Sequence, residues 1–326
     1  MSGEIQFHQT ISIICNLFYL MPQPKPLKLY TTVTLAMICF SLSFVWFKVA
    51  NVTYGPLTIV LFRLGISASI ILVYATLAKQ LRFPDKQDLK ALLLLAFFEP
   101  FLYFMGESYG LRHLSPTVGA VIIATIPLVA PFAGYFFNQE KVTVRNMLGI
   151  LISFSGVTLV IYEMGMGLTA SPLGVTLQFS AVFSAVGYTV VLHRISRRMN
   201  NISIIFFQGI IGFVYFLPFW LTFEAKSFFN TPYNAPAMLA IVKLALFAST
   251  LAFIFFTYSV RHMGITKSNM FINIVPVFTA LFAWQVLGET LSVQKLVGIS
   301  IVISGLFFAQ INMSRKHPGP DPIPRT

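Results

Sequence analysis

Two stretches of this chain are copies of one another: residues 127–156 read PLVAPFAGYFFNQEKVTVRNMLGILISFSG, and residues 276–305 read PVFTALFAWQVLGETLSVQKLVGISIVISG. At this offset of 149 positions, Pro127, Glu140, Gly149, Ser155 and Gly156 match Pro276, Glu289, Gly298, Ser304 and Gly305. The same offset aligns residues 91–161 with 240–310 without a gap. Shared hydrophobicity alone does not match proline, glutamate and Ser-Gly at one spacing, so the chain contains an internal duplication.

The composition excludes a soluble protein. Of the 326 residues, 56% are apolar, only 10% are charged and 34 are phenylalanine, whereas a soluble domain carries about 25% charged residues. A bilayer core needs roughly 20 apolar residues per helix. Stretches of this length recur about ten times, at 30–50, 55–78, 88–110, 116–138, 143–162, 172–193, 202–223, 236–260, 266–287 and 292–313. We therefore predict an all-α polytopic membrane protein with about ten transmembrane helices.

The basic residues predict the orientation of these helices, because short cytoplasmic loops are rich in Lys and Arg. Placing both termini and every second loop on one side collects 16 basic residues there and leaves four on the other. Both termini are thus expected in the cytoplasm and the protein in the plasma (bacterial inner) membrane. The net charge of +12 lies in short clusters that suit lipid headgroups as partners, and it lacks the continuous basic face that nucleic acid requires.

The duplication organises the chain into four segments. Residues 1–29 are a cytosolic N-terminal segment, 30–163 and 172–313 are two five-helix repeats, and 314–326 are a cytosolic tail. Because Met21-Pro22-Gln23-Pro24-Lys25 reads as an ordinary cytosolic leader, we hypothesise that translation begins at Met21. Since five is an odd number, the second repeat enters the membrane with the opposite orientation to the first, as in carriers with inverted repeats.

The chain resembles the drug/metabolite transporter superfamily, specifically its ten-helix EamA-type members. The resemblance rests on Trp46 and Lys48 at the end of the first span, on Arg63 in the second, and on the duplicated Pro, Glu, Gly and Ser-Gly pattern. It covers about residues 31–312. It implies the transporter fold but not the solute, since members resemble exporters of amino acids, metabolites and other small molecules.

We predict a secondary transporter, an exporter of a small metabolite or amino-acid-like solute that works by alternating access. The alternative is a non-transporting membrane receptor, scaffold or partner subunit on a transporter fold. The sequence shows no catalytic motif, nucleotide loop or metal-binding cluster. We accordingly expect no enzyme activity, no cofactor and no metal.

Glu99, in Phe97-Phe98-Glu99-Pro100-Phe101, lies near the middle of the third span, whereas the other glutamates are assigned to helix ends or loops. A charged side chain inside the bilayer is costly and needs a reason. Its repeat equivalent is Ala248, so the shared scaffold does not require it. It is either a site for a substrate amine or proton, or a structural glutamate paired with arginine.

Arg63 is the natural partner of Glu99, but it could also bind a substrate carboxylate or extend to the membrane interface. Polar side chains at helical spacing suggest a cavity wall, with helix-to-helix hydrogen bonds as the alternative reading for each. These residues are Tyr103 in the third span, Ser180, Ser184 and Tyr188 in the sixth, and Asn269 and Asn273 in the ninth. Trp46 is a candidate aromatic wall of the same cavity.

Pro127 and Pro276 should kink the fourth helix of each repeat, and they are either hinges or static bends. For the paired glycines of the fifth helices we favour close helix packing, with a homodimer interface as the alternative. Glu140 and Glu289 follow the fourth helices and are read as structural caps or salt-bridge partners.

Overall fold

A computed structural model describes residues 26–129, 144–163, 167–168, 170–196, 198–263, 268–269 and 271–310. Glu140, Met21, most of the N-terminal segment and the C-terminal tail lie outside these residues. Within them the chain is almost entirely helical.

The first half contains five helices. They are α1 (Pro26–Asn51), α2 (Pro56–Leu77), α3 (Lys86–His113), α4 (Pro116–Val129) and α5 (Val144–Ile161). Helix α3 consists of Lys86–Ala96, a π-helical segment Phe97–Leu102 and Tyr103–His113. Helix α4 is regular over Pro116–Ile123 and resumes at 126–129 after a turn.

The second half also contains five long or apolar helices. They are α6 (Pro172–Ile195), α7 (Asn201–Phe223), α8 (235–263), α9 (Phe271–Leu287) and α10 (Val293–Gln310). Helix α8 consists of Ala235–Lys243, a π-helical segment Leu244–Leu251 and Ala252–Met263, and α9 opens with a 3-10 turn at Phe271–Ile274 before Val275–Leu287. A short helix, Ala225–Asn230, follows α7, and a two-residue strand pair, Tyr162–Glu163 with Gly167–Leu168, follows α5.

Six of these helices, α1, α2, α3, α6, α7 and α8, are long and apolar enough to cross a membrane, and α4, α5, α9 and α10 are shorter apolar helices. Within the described residues each predicted span overlaps a helix, and the prediction of an all-α polytopic membrane protein is confirmed. The short helix after α7 and the strand pair after α5 were not predicted. Their sequences lie in loops, where no apolar periodicity announces them.

The duplication extends to details of secondary structure. Helices α5 and α10 begin and end 149 residues apart, and the π-helical segments of α3 and α8 overlap at the same offset. The fourth helix of each half is interrupted just before its proline. Helix α4 resumes at Ile126 and α9 becomes regular at Val275. Pro127 and Pro276 therefore each occupy the second position of a helical segment. A proline is tolerated there because its missing N–H would have no helical partner.

Helices α2 and α7 hold each other's ends in a reciprocal way. At one end, the Glu224 carboxylate after α7 accepts hydrogen bonds from the backbone N–H groups of Leu57 (3.1 Å) and Thr58 (2.7 Å), which start α2. At the other end, Ser203 near the start of α7 accepts from the N–H of Arg82, which follows α2, at 2.8 Å. The first N–H groups of α2 need such acceptors, and the bond from Arg82 joins the other ends of the two helices, so the pair is fixed at both ends.

Helices α5 and α10 pack through the repeated glycines. A methyl group at Gly156 would lie 2.7 Å from the carbonyl oxygen of Gly298, and one at Gly305 would lie 2.8 Å from that of Gly149. Ser153 adds an interhelical hydrogen bond of 3.0 Å to the Val302 carbonyl. Small residues allow this approach of two backbones. The seam lies inside one chain, as favoured for these glycines in the sequence analysis.

Candidate functional site

A cavity of about 90 Å³ lies between the two halves. It has room for a few water molecules. Both halves contribute to its wall. The first half supplies Met37, Phe40, Ser43, Phe44, Arg63, Glu99, Tyr103, Phe104, Glu107, Ile123 and Ile126, and the second supplies Ala185, Tyr188, Thr189, Phe253, Phe256, Asn269, Ile272 and Val275.

Arg63 enters this cavity from α2 and does not extend to the membrane surface, since only 3% of the residue is exposed. Its Nε donates to the Ser249 hydroxyl of α8 at 2.9 Å, and its guanidinium carbon lies 4.2 Å from the centre of the Phe104 ring. Within the described residues its two terminal nitrogens have no partner, and they are not sealed from the cavity. Arg63 is thus anchored between the halves with its donor fork free.

Glu99 lies where α3 is interrupted. Its backbone is extended (φ −142°, ψ 119°), and the next residue, Pro100, has no N–H to donate to the helix. Two partners from the second half accommodate the carbonyls freed by this interruption: Ser184 donates to the carbonyl of Phe98 at 2.6 Å, and Gln208 donates to that of Glu99 at 3.0 Å. Among the described residues the Glu99 carboxylate itself has no hydrogen bond and no salt bridge within 4.0 Å, although it lines the cavity.

Glu107 is a buried carboxylate that the sequence did not predict, since only Glu99 was expected in the interior. Glu107 is only 7% exposed, lines the same cavity and accepts a hydrogen bond of 2.9 Å from the Tyr103 hydroxyl. It lies one helical turn after Tyr103, within the predicted third span. Its position within the span could have identified it as an interior residue. Because it lies close to the end of the span, it was interpreted as a helix-end residue.

The aromatic wall of the cavity differs from the predicted one. It consists of phenylalanines from α1, α3 and α8, together with Tyr103 and Tyr188. Phe40 contacts the rings of Phe253 and Phe256 edge to face, at 5.5 and 6.1 Å between ring centres. Trp46 packs against Phe247 instead, with ring centres 5.6 Å apart, and does not line the cavity.

The residues of the predicted polar stripes have different environments in the structure. Tyr188 and Asn269 line the cavity, whereas Ser184 supports the α3 break. Ser180 bonds to its own helix at the Leu177 carbonyl. Asn273 is 1% exposed and lies outside the cavity wall, and its amide atoms have no partner among the described residues.

Glu289 has the contacts of a structural residue. It accepts from the hydroxyls of Ser115 (2.7 Å) and Thr117 (2.9 Å) at the start of α4, and Lys295 lies 3.8 Å away. Its repeat equivalent, Glu140, lies outside the described residues. No group of three His, Cys, Asp or Glu side chains that could hold a metal ion occurs in the described part of the chain.

Comparison with known proteins adds to this geometry. The family model described as "EamA-like transporter family" matches residues 27–162 and again residues 172–310. The chain is 28% identical to "Uncharacterized transporter YetK" of Bacillus subtilis strain 168, over 79% of this chain and 78% of that protein. It is 26% identical to "Uncharacterized transporter YdfC" of the same organism, over 80% of this chain and 84% of that one.

A similar fold is found among solved structures. One protein crystal structure superposes with a TM-score of 0.63 and 15% sequence identity, over 88% of this chain and 96% of that chain. At this level of identity the likeness supports the fold alone.

Proposed function

The chain belongs to the EamA-like transporter family, and we propose that it is a secondary carrier that exports a small metabolite or amino-acid-like solute by alternating access. It is an integral membrane protein, and it has relatives named as transporters. The proposal concerns the direction of transport, the solute class and the mechanism.

The observation that carries the proposal is the cavity between the halves. Buried charges are normally paired, yet within the described residues Glu99 has no partner and Arg63 keeps its terminal nitrogens free. Charged groups without partners in a mostly apolar cavity provide the few polar contacts that fix the orientation of a small polar solute. We assign direct contact with the solute to Glu99, Arg63, Tyr103, Tyr188 and Asn269.

The duplicated halves support alternating access. The two repeats, 30–163 and 172–313, contain five helices each. If successive helices cross the membrane in alternate directions, the repeats have opposite orientations, and such a pair can open a central site to either side in turn. We propose that Pro127 and Pro276, at the matching breaks of α4 and α9, act as hinges. The charge distribution of the loops supports cytoplasmic termini and a plasma-membrane location.

The remaining predicted residues support the site from outside the cavity wall. We propose that Ser184 fixes the break in α3, and that Trp46 and Asn273 lie on surfaces that rearrange when the cavity opens. The partners are the solute and membrane lipid. A homodimer remains the lesser option, because the repeated glycines pack within one chain.

The test is transport by the purified chain in proteoliposomes. Candidate solutes are first selected by thermal shift in detergent and then loaded inside the vesicles, and their release is followed with protein-free vesicles as the control. We expect release that saturates with solute concentration and accelerates when the same solute is present outside. Binding without release or exchange for every selected solute would favour the receptor or scaffold alternative.

A further inference from the structure

Helix α9 meets the cavity at its opening 3-10 turn, Phe271–Ile274. Three residues in and beside this turn line the cavity, and they are spaced three apart: Asn269, Ile272 and Val275. In a 3-10 helix, which has three residues per turn, side chains three apart share one face. The winding of this turn therefore decides which side chains of α9 face the cavity.

Asn273 lies in the same turn but away from the cavity. The residue is almost completely buried, and neither its amide nitrogen nor its amide oxygen has a hydrogen-bond partner among the described residues. A buried amide without partners costs free energy. Its repeat equivalent is Ala124, which is also buried, so the shared scaffold does not require a polar side chain here. Asn273 thus destabilises the conformation seen in this structure.

Pro276 gives this turn a second possible winding. In a 3-10 turn the carbonyl of Asn273 would accept from residue 276, and in an α-helix the carbonyl of Ile272 would do so. Because proline has no N–H, either winding loses one backbone hydrogen bond at this point. The α winding also brings the Pro276 ring against the Ile272 carbonyl, whereas the 3-10 winding leaves the Asn273 amide unpaired. Each winding has one defect, so a bound solute can decide between them.

Resting on the function proposed above, we infer that this turn rewinds into an α-helix when the solute binds, and that Asn273 then contacts the solute beside Asn269. Two residues four positions apart lie about 120° apart around a helix of three residues per turn. At 3.6 residues per turn the angle falls to about 40°, so both amides face the cavity and Val275 turns away from it. The amide that is unpaired in this structure gains its partners in the cavity.

The two neighbouring carboxamides specify the part of the solute that they contact. Each carries N–H donors and a carbonyl acceptor and has no charge. A solute group that both donates and accepts hydrogen bonds, such as a carboxamide, matches them. A group that only accepts would leave amide atoms unpaired, which costs binding free energy. Asn269 and Asn273 thus recognise an uncharged polar group of the solute.

The first test examines the cost of the unpaired amide. Asn273→Leu keeps the approximate size of the side chain and removes its polar atoms, and it should raise the melting temperature in detergent by a few degrees. A lower melting temperature would show that the amide stabilises this conformation, and would overturn the inference. Size-exclusion chromatography checks folding. Asn273→Ala, which copies the equivalent position of the first half, replaces the leucine variant in all other measurements if that variant does not fold.

The second test examines the recognised group with two uncharged probes whose phenyl ring suits the aromatic wall. The amide of benzamide donates and accepts hydrogen bonds, whereas the ester of methyl benzoate only accepts. Benzamide should raise the melting temperature of wild type more than methyl benzoate does, and Asn273→Leu should remove this difference. Equal shifts in wild type, or the same difference in Asn273→Leu, would overturn the inference.

The third test follows the winding without a solute. Cys15 and Cys39 are replaced by alanine, and Asn273→Cys and Val275→Cys are each treated with methyl methanethiosulfonate. With the natural proline, Val275→Cys should react and Asn273→Cys should not. Pro276→Ala removes the ring that disfavours the α winding, so the reaction should move from position 275 to position 273. The same pattern with and without Pro276→Ala would overturn the inference.

Transport separates this inference from the broader function. In proteoliposomes, Asn273→Leu and Asn273→Ala should reduce solute release per folded molecule about tenfold. Unchanged release by both variants would overturn the solute contact and leave the carrier function standing. A benzamide preference that depends on Asn273 and a cysteine pattern that depends on Pro276, without transport of any solute, would overturn the carrier function and leave the rewinding standing.

Discussion

The position of Arg63 leads to a quantitative prediction about what holds the cavity together. Arg63→Lys keeps the positive charge but removes the Nε donor that reaches Ser249 at 2.9 Å across the two halves. Interhelical side-chain bonds in membrane proteins contribute about 0.6 kcal/mol and at most about 1.7, whereas bonds to charged groups contribute about 1.5 to 3. We therefore expect Arg63→Lys to lower the free energy of unfolding by about 1.5 kcal/mol.

Arg63→Gln should cost more, because it removes the cation that balances a buried carboxylate. Leaving a buried charge without an opposite charge nearby costs up to about 3 to 5 kcal/mol. If the charge is the dominant contribution, the glutamine variant is therefore at least about twice as destabilised as the lysine variant. If the hydrogen bond dominates, the two variants lose similar amounts.

The assay is reversible unfolding by sodium dodecyl sulfate in mixed micelles, with Ser249→Ala completing a double-mutant cycle. Because lysine has already lost the Nε bond, Ser249→Ala should cost much less in the Arg63→Lys background than in wild type, with a coupling of about 1 to 2 kcal/mol. Additive losses would refute the assigned hydrogen bond. Equal losses for Arg63→Lys and Arg63→Gln would refute the charge argument.

Three further predictions follow from other parts of the molecule. Glu99→Gln should reduce the transport rate per folded molecule by one to two orders of magnitude, which corresponds to about 1.4 to 2.8 kcal/mol, and should change the melting temperature little. Unchanged transport across pH 5 to 8 together with a lower melting temperature would show that Glu99 is a structural residue. Cysteines introduced beside Lys226 should react with an impermeant thiol reagent in intact cells and those beside Arg198 should not, and the reverse pattern would invert the topology. Gly156→Ala places a methyl group 2.7 Å from the Gly298 carbonyl oxygen and should cost about 1 to 3 kcal/mol of stability; an unchanged unfolding curve would mean that the seam is not tightly packed.

The sequence predicted the helices and their duplication because both depend on patterns along the chain. Uncharged stretches long enough to cross a bilayer are visible without tertiary information, and the matched Pro127 and Pro276 lie at the same kind of helix break. Glu99 was found in the same way. A carboxylate within an apolar stretch stands out, since its cost in lipid requires an explanation.

The sequence could not decide which faces of the helices point inward. In a soluble protein the outward face is polar and reveals the inward one, but a helix in lipid is apolar all round. The expected stripes therefore mixed residues with different roles. Tyr188 lines the cavity while Ser184, one turn away, holds the carbonyl of Phe98, and Trp46 packs against Phe247 instead of the cavity.

The tertiary structure alone decided how the charges are grouped. Glu107 joins Glu99 and Arg63 in one cavity because the helix is interrupted at Glu99 and α3 packs against α2 and α6, which no spacing along the chain expresses. The anchor of Arg63, Ser249, is 186 residues away in the other half. A chain pattern shows that a charge is buried, but its partner depends on which helices meet.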